Sequence, residues 1–172
     1  MSIYEGRVIL APYVATPDEV VGRMLELAGV SGRDVVLDLG CGDGRVCIAV
    51  ARRYGARSIG VDIEPYWVEL AAARAAEAGV SRLTTFRAED ACETDLSAAT
   101  VITLYLGGAS TQAMGRRLRA HAAPGARVVS HHYPVNGWEA RRAEEVPDGD
   151  GKLHRLYLWR VGARGAAAAG ED

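Results

Sequence analysis

The chain has 172 residues, 49% hydrophobic and 24% charged, with 20 basic and 22 acidic side chains for a formal net charge of −2. That length gives one domain with a substantial core, and the composition excludes disordered and fibrous classes. A near-neutral charge exerts no broad pull toward nucleic acid, and no run approaches the roughly 18 apolar residues of a membrane span.

The start, MSIYEGRVIL, lacks the basic opening and long apolar stretch of a signal peptide. Cys41, Cys47 and Cys92 form no CxxC pair and are odd in number, so neither a zinc site nor a disulfide framework is expected. Both features point to the cytoplasm and reduced thiols.

In chain order, Thr16-Pro17-Asp18-Glu19 predicts a helix start, with Thr16 as cap, Pro17 at the first helical position and Glu19 reaching back in a capping box. Val20, Met24, Leu25 and Leu27 form the apolar face, and Gly29 ends it. Val35 to Leu39 reads as a buried strand and Val46 to Tyr54 as a helix ended by Gly55. Ser58 to Ile63 is a second strand, followed by an alanine-rich helix from Pro65 to Ala78 ended by Gly79. Leu83 to Arg87, Thr100 to Leu106 and Arg127 to His131 are further strands, with a helix from Ser110 to His121 between the last two.

Strands alternating with helices at this spacing imply an α/β, Rossmann-like, doubly wound and mostly parallel sheet. Glu139 to Val146 and Leu153 to Val161 flank Pro147-Asp-Gly-Asp-Gly151 and read as an antiparallel hairpin. Residues 1–161 form the expected domain, and 162–172 a frayed tail without packing pattern.

Between the first strand and its helix stands Asp38-Leu-Gly-Cys-Gly-Asp-Gly-Arg45. A dinucleotide fingerprint would need its third glycine at Arg45, which argues against NAD or FAD. Asp38, at a strand end, would repel a pyrophosphate and suits a cationic ligand. Asp62 ends the next strand at the spacing of an acid that grips ribose hydroxyls, and Asp90 follows the third strand. Taken singly, each has a structural reading: a tight turn for the glycines, a backbone or helix cap for Asp38 and Asp62, a solvated loop for Asp90. Together they suit a ligand with a ribose, an exocyclic amine and an ammonium, and no phosphate.

The stretches DLGCGDGR, GVDIEP and AEDA resemble the cofactor motifs of class I S-adenosylmethionine-dependent methyltransferases, a similarity spanning nearly the whole chain. The resemblance implies a seven-stranded sheet, S-adenosyl-L-methionine as cofactor with S-adenosyl-L-homocysteine as product, and no metal. It implies that the Gly40, Cys41, Gly42 and Gly44 loop passes the methionyl part and that Asp62 binds the ribose hydroxyls. Ile63 would lie against adenine, and Asp90 with the Ala91 amide would hold the adenine edge.

APYVATP (11–17), TLYL (103–106), VVSHH (128–132) with Trp138, and LYLWR (156–160) further resemble the small protein-lysine N-methyltransferases of archaea and mitochondria and their bacterial relatives. The chain departs from that group at Ala15, where proline is commoner, and at His132, where an acid is commoner. The resemblance implies a protein lysine as substrate and a segment, residues 1–16, that closes over the cofactor through Tyr13 and Thr16.

A lysine ammonium, with a pKa of about 10.4, must lose its proton before attack, which a dry aromatic pocket favours. Tyr105, Tyr133 and Trp138 follow the fourth and fifth strands at the expected pocket mouth, and His131 or His132 is placed to relay the proton. Tyr105, His131 and Tyr13 are thus the catalytic candidates, with core packing as the alternative role for the aromatics and a structural role for the histidines. A small-molecule O- or N-methyltransferase, a non-catalytic cofactor-binding module, and an RNA enzyme using Arg116, Arg117, Arg119, Arg141 and Arg142 stay open. The sequence assigns no oligomeric state.

Overall fold

A computed structural model describes residues 13–162 in full and the backbone strands β1 (Ser2–Tyr4) and β2 (Arg7–Ile9). The expected frayed tail from residue 163 and most of the expected closing segment lie outside the described residues. β1 and β2 pair antiparallel, a ribbon the sequence did not announce because each strand has only 3 residues.

The remaining elements are α1 (Asp18–Leu27), β3 (Val35–Leu39), α2 (Arg45–Tyr54), β4 (Arg57–Asp62), α3 (Pro65–Glu77) and β5 (Thr84–Ala88). They continue with β6 (Val101–Leu104), α4 (Gly108–His121), β7 (Arg127–His131), β8 (Arg142–Pro147) and β9 (Leu153–Arg160). One seven-stranded sheet runs β5-β4-β3-β6-β7-β9-β8, parallel from β5 to β7 and antiparallel where β9 and β8 join. This is the expected Rossmann-like architecture.

Strand alternation sorts the core onto two faces. Leu37, Leu39, Ile102, Leu104, Val128 and Trp159 pack with Met114 and Leu118 of α4. Val36, Val101, Val129 and Leu156 pack with Val20, Met24 and Leu25 of α1 and Val46 and Val50 of α2. The chain moves outward from β3 to β5, then returns to the other flank of β3 at β6. Strand order therefore reverses between β3 and β6, and a crevice opens beyond their carboxyl ends.

Thr16 does not cap α1. Pro17 takes the N-cap position, no side chain caps it, and Asp18 and Glu19 meet the helix dipole instead. The Thr16 hydroxyl is bonded to His131 Nδ1 at 3.2 Å, and its carbonyl accepts from Arg45 at 2.8 Å. A tertiary contact has claimed the group that the local motif would use. β6 ends at Leu104, so Tyr105 and Leu106 lie past the strand on the way into α4. β8 begins at Arg142, three residues later than the sequence suggests.

At the amino ends of the strands, buried Asp34 accepts hydrogen bonds from the Ser31 amide at 2.8 Å, the Ser31 hydroxyl at 3.0 Å and the Thr100 hydroxyl at 2.7 Å, and it pairs with Arg127. Burial alone would push its carboxyl up, but these donors and the Arg127 charge hold it below the ordinary carboxylate range. A depressed folded pKa stabilises the fold above the unfolded value, and that share is lost as pH falls through the folded one. Asp34→Ala is expected to cost about 2 to 3 kcal/mol at neutral pH by leaving its partners unpaired, and clearly less in acid, read as denaturant midpoints at the two pH values.

Candidate active site at the carboxyl edge of the sheet

In the β3–β6 ladder Asp38 stands opposite Thr103, whose hydroxyl donates to Asp38 Oδ1 at 2.7 Å. Asp38 is only 5% exposed, and among the described residues no basic side chain pairs with it. Burial pushes its carboxyl up to about 7; the Thr103 hydrogen bond opposes this, and the Asp62 and Asp43 charges add to it. A buried acid beside two more acids, with no cation of its own, is a site that calls for a positively charged ligand.

The glycine loop is anchored to β4. Gly40 and Cys41 both donate to the Val61 carbonyl, at 2.9 and 2.8 Å, and the Gly42 amide donates to Asp62 Oδ2 at 2.9 Å. Asp62 Oδ1 accepts the Glu64 amide at 3.1 Å. A carboxylate has about four acceptor positions, so Asp62 keeps room for two further donors such as vicinal hydroxyls. Burial pushes the Cys41 thiol up, which keeps it protonated and inert. Asp43, which sequence reasoning passed over, is buried and grips Arg45 through both carboxylate oxygens, at 3.0 and 2.7 Å, and also Arg74 of α3.

Tyr13 lies on Gly42 and packs its ring against Trp67 at 4.0 Å between centroids. Three residues on, Thr16 reaches His131 at the end of β7. The 13–16 strap therefore crosses from the glycine loop over the end of β6 to β7, which brings the predicted Tyr13, Thr16 and His131 to one edge.

Tyr105 stacks on His131 with centroids 4.0 Å apart and faces Tyr133 at 6.4 Å. His131 is buried, and His132 lies against it at 4.3 Å. Trp138 is not at this edge. It packs edge-on to Trp159 in the core, under the Arg119 guanidinium at 5.0 Å. At the other flank, Ile63 and Asp90 are half-buried beyond β4 and β5, and Ala91 is buried. Asp90 Oδ1 accepts the Cys92 amide at 2.7 Å, which fixes the turn.

Nitrogen atoms of His131, His132 and His154 lie within 4.8 Å of one another. The His132 ring stacks on its two neighbours at 22° and 29°, so its in-plane lone pair runs beside theirs. A zinc ion needs lone pairs converging on one point about 2.0 to 2.1 Å from each nitrogen, and this group is hydrogen-bonded instead. A cavity of about 740 Å³ lies away from all these residues, at the amino edge of the strands, lined by Arg127, Arg141, Arg142 and Arg160 among others. Of the arginines suspected of forming a phosphate-facing patch, Arg117 and Arg119 are spent on the Thr94 and Gly137 carbonyls.

The sequence profile of the ANTKMT methyltransferase domain matches residues 38–142, more than half of the chain. The chain belongs to this methyltransferase family. Within it, the chain is 38% identical to a protein-lysine N-methyltransferase of Saccharolobus islandicus, over 88% of this chain and 94% of that protein. It is 32% identical to the adenine nucleotide translocase lysine N-methyltransferase of Mus musculus, over 74% of this chain and 56% of that one. A solved structure from Salinibacter ruber, described as an RNA methyltransferase in complex with S-adenosyl-L-homocysteine, is 41% identical. It superposes with a TM-score of 0.84, covering 92% of this chain and 100% of its own. The ANTKMT-type chain described here is thus an S-adenosylmethionine-dependent methyltransferase, and the cation that Asp38 lacks fits the sulfonium and ammonium of that cofactor. No helix among the described residues is long and apolar enough to cross a membrane.

Proposed function

We propose that the protein transfers methyl groups to lysine side chains of another protein, in the cytoplasm, and that residues 1–161 act as one catalytic domain. The observation that carries this reading is the pairing of a cation-seeking carboxylate, Asp38, with an aromatic and imidazole wall at the ends of the next two strands, Tyr105 after β6 and His131 and Tyr133 at and after the end of β7. The named activities of the archaeal and mouse relatives support it.

In this reading Asp62 takes the ribose hydroxyls, and the Gly40–Gly44 loop passes the methionyl chain. Ile63 covers one adenine face, and Asp90 with the Ala91 amide holds its edge. S-adenosylmethionine supplies an activated methyl on a cationic sulfur. The chain then has three tasks: to line up the acceptor nitrogen, to exclude water, and to take the amine proton. Tyr105 and Tyr133 serve the first, offering a ring pair to an alkylammonium at about 0.5 to 2 kcal/mol of cation–π attraction. The Tyr13–Thr16 strap serves the second. The neutral His131 side serves the third.

A second reading, RNA as acceptor, is favoured by the description of the Salinibacter structure. One experiment separates the two. Purified protein is incubated with methyl-labelled S-adenosylmethionine and separate protein, RNA and metabolite fractions of a lysate, and labelled protein is hydrolysed to amino acids. Methyl-lysine is the expected product. Label confined to RNA or to small molecules overturns the proposal, and label nowhere points to a binding module.

Asp62→Ala is expected to weaken cofactor binding about 10- to 100-fold, because charged hydrogen bonds contribute about 1.5 to 3 kcal/mol each. Calorimetric titration checks this, and unchanged affinity would remove Asp62 from the site.

A further inference from the structure

The hairpin at the far end of the sheet is wired to the active site. Asp148 Oδ2 lies 2.9 Å from His154 Nε2, His154 Nδ1 lies 2.8 Å from His131 Nε2, and His131 Nδ1 lies 3.2 Å from the Thr16 hydroxyl. His131 and His154 are both buried, and they come from strands β7 and β9, whose pairing sets the ends of the wire side by side.

The direction of each bond follows from donor and acceptor counting. Asp148 accepts the Asp150 and Lys152 amides on Oδ1, and its His154 hydrogen bond holds its carboxyl below the ordinary range, so it stays ionised and only accepts. His154 Nε2 therefore carries a hydrogen, and in the neutral ring Nδ1 is a bare lone pair. His131 Nε2 must then carry the hydrogen between the rings, leaving its own Nδ1 bare. Burial, reinforced by His132, His154 and Lys152, pushes His131 down to about 3, so its ring is neutral near pH 7. The Thr16 hydroxyl consequently donates to His131, and among the described residues no donor meets its oxygen.

Position and strain agree with a functional use. Thr16 ends the strap that runs from the glycine loop to His131, and the Tyr105 ring packs on His131 with centroids 4.0 Å apart. His132 has φ 65, a left-handed conformation that costs a non-glycine residue about 1 to 2 kcal/mol. Its ring lies against both His131 and His154, and Arg155 and Lys152 are the cations that face it.

We propose that Thr16, His131, His154 and Asp148 form the proton exit of the active site. This rests on the amine-acceptor reading above. An N–H bond of the substrate ammonium breaks, and the electron pair stays on nitrogen for the methyl. Thr16 Oγ takes that proton and passes its own to His131 Nδ1. The His131 Nε2 hydrogen moves to His154 Nδ1, and the resulting imidazolium rests beside the Asp148 carboxylate, where exchange with solvent removes the proton. Thr16 receives the proton directly; His154 and Asp148 are positioning residues that act through His131.

The full chain, labelled with ¹⁵N at histidine, tests the wiring by imidazole nitrogen NMR. His131 and His154 are both expected to carry hydrogen on Nε2 in the wild type, and Asp148→Ala is expected to disturb the tautomer of His131 as well as that of His154. In parallel, initial rates of methyl-lysine formation on total lysate protein are followed from neutral pH up to the lysine pKa of about 10.4. Asp148→Ala and His154→Gln are each expected to lower the neutral-pH rate about tenfold, within the usual range for assisted proton transfer, and to recover toward wild type as pH rises. Cofactor affinity should stay unchanged. Hydrogen on His131 Nδ1 in the resting wild type, a rate loss equal at every pH, or one stoichiometric bound metal ion would each overturn the exit route. Absence of methyl-lysine from the wild-type reaction overturns the lysine reading itself. The melting temperature of both variants shows whether either has merely loosened the hairpin.

Discussion

Asp38→Asn is expected to make the ligand-free protein more stable while weakening its hold on S-adenosylmethionine about a hundredfold or more. The two effects have one origin. Burial raises the Asp38 carboxyl to about 7 in the fold, against an unfolded value near 3.8. A raised folded pKa means that the ionised form is penalised, so this residue destabilises the fold above the unfolded pKa, and the penalty fades as pH falls from about 7 toward 4. At neutral pH the penalty is on the order of 2 to 4 kcal/mol. Asparagine keeps an acceptor for the Thr103 hydroxyl and removes the charge. The melting temperature should rise by roughly 5 to 10 °C at neutral pH for a chain of this size, and little in acid.

The lost charge is the one that a cationic ligand would neutralise. Removing one member of a buried charge pair costs about 2 to 5 kcal/mol of binding, hence the hundredfold expectation at about 1.4 kcal/mol per factor of ten. A cation settling beside Asp38 also lowers its pKa, so binding should release a proton at pH below about 7, and affinity should rise with pH up to that point. S-adenosylhomocysteine, whose sulfur is neutral, should show a weaker pH dependence. Calorimetry in buffers of differing ionisation enthalpy measures the proton directly, and Asp38→Asn should abolish it. Tight binding by the variant, with the proton release intact, would move the ligand elsewhere.

How far the sequence could reach depends on how local each contact is. The glycine turn and the place of Asp62 at a strand end were legible because turn chemistry and strand-to-helix spacing involve neighbours along the chain. Thr103 was not singled out as a partner, since Asp38 meets it across 65 residues and only the β3–β6 register brings them opposite. His154 and Asp148 lay hidden for the same reason, in a hairpin whose alternation looks like any edge ribbon. Thr16 shows the converse failure. Its local pattern reads as a cap, yet His131, 115 positions away, takes the hydroxyl. Trp138 reads equally well as pocket or core, and packing against Trp159 decides for the core. Asp43 sat inside a motif whose glycines drew the attention; Arg45 is two residues along the chain, but Arg74 meets Asp43 only once α3 is docked.

Gly42→Ala and Gly44→Ala, two positions apart, are expected to fail in opposite ways. A methyl group at Gly44 would sit 2.7 Å from the Ala71 Cβ and 3.0 Å from the Phe86 ring, at φ 78. Ala71 is fixed by the α3 backbone and cannot swing aside. A left-handed penalty of about 1 to 2 kcal/mol adds to overpacking of about 1 to 3 kcal/mol, a large share of the whole stability of a domain. Gly44→Ala should therefore unfold at a much lower temperature or accumulate as insoluble protein. At Gly42 the added methyl would meet Tyr13 Cε2 at 2.2 Å, but that ring belongs to a side chain 39% exposed and free to turn away. The fold should lose only the backbone penalty at φ 49, about 1 to 2 kcal/mol. The Tyr13–Trp67 contact and the Gly42–Asp62 hydrogen bond, however, are both disturbed in the loop to which the proposal assigns the cofactor. Thermal melts and cofactor titration on the two variants separate these roles: one glycine makes room for a helix, the other for a ligand and the strap above it. Were Gly42→Ala to unfold the chain while Gly44→Ala bound cofactor normally, the loop would be a packing device, and the carboxylates around it would lose their ligand.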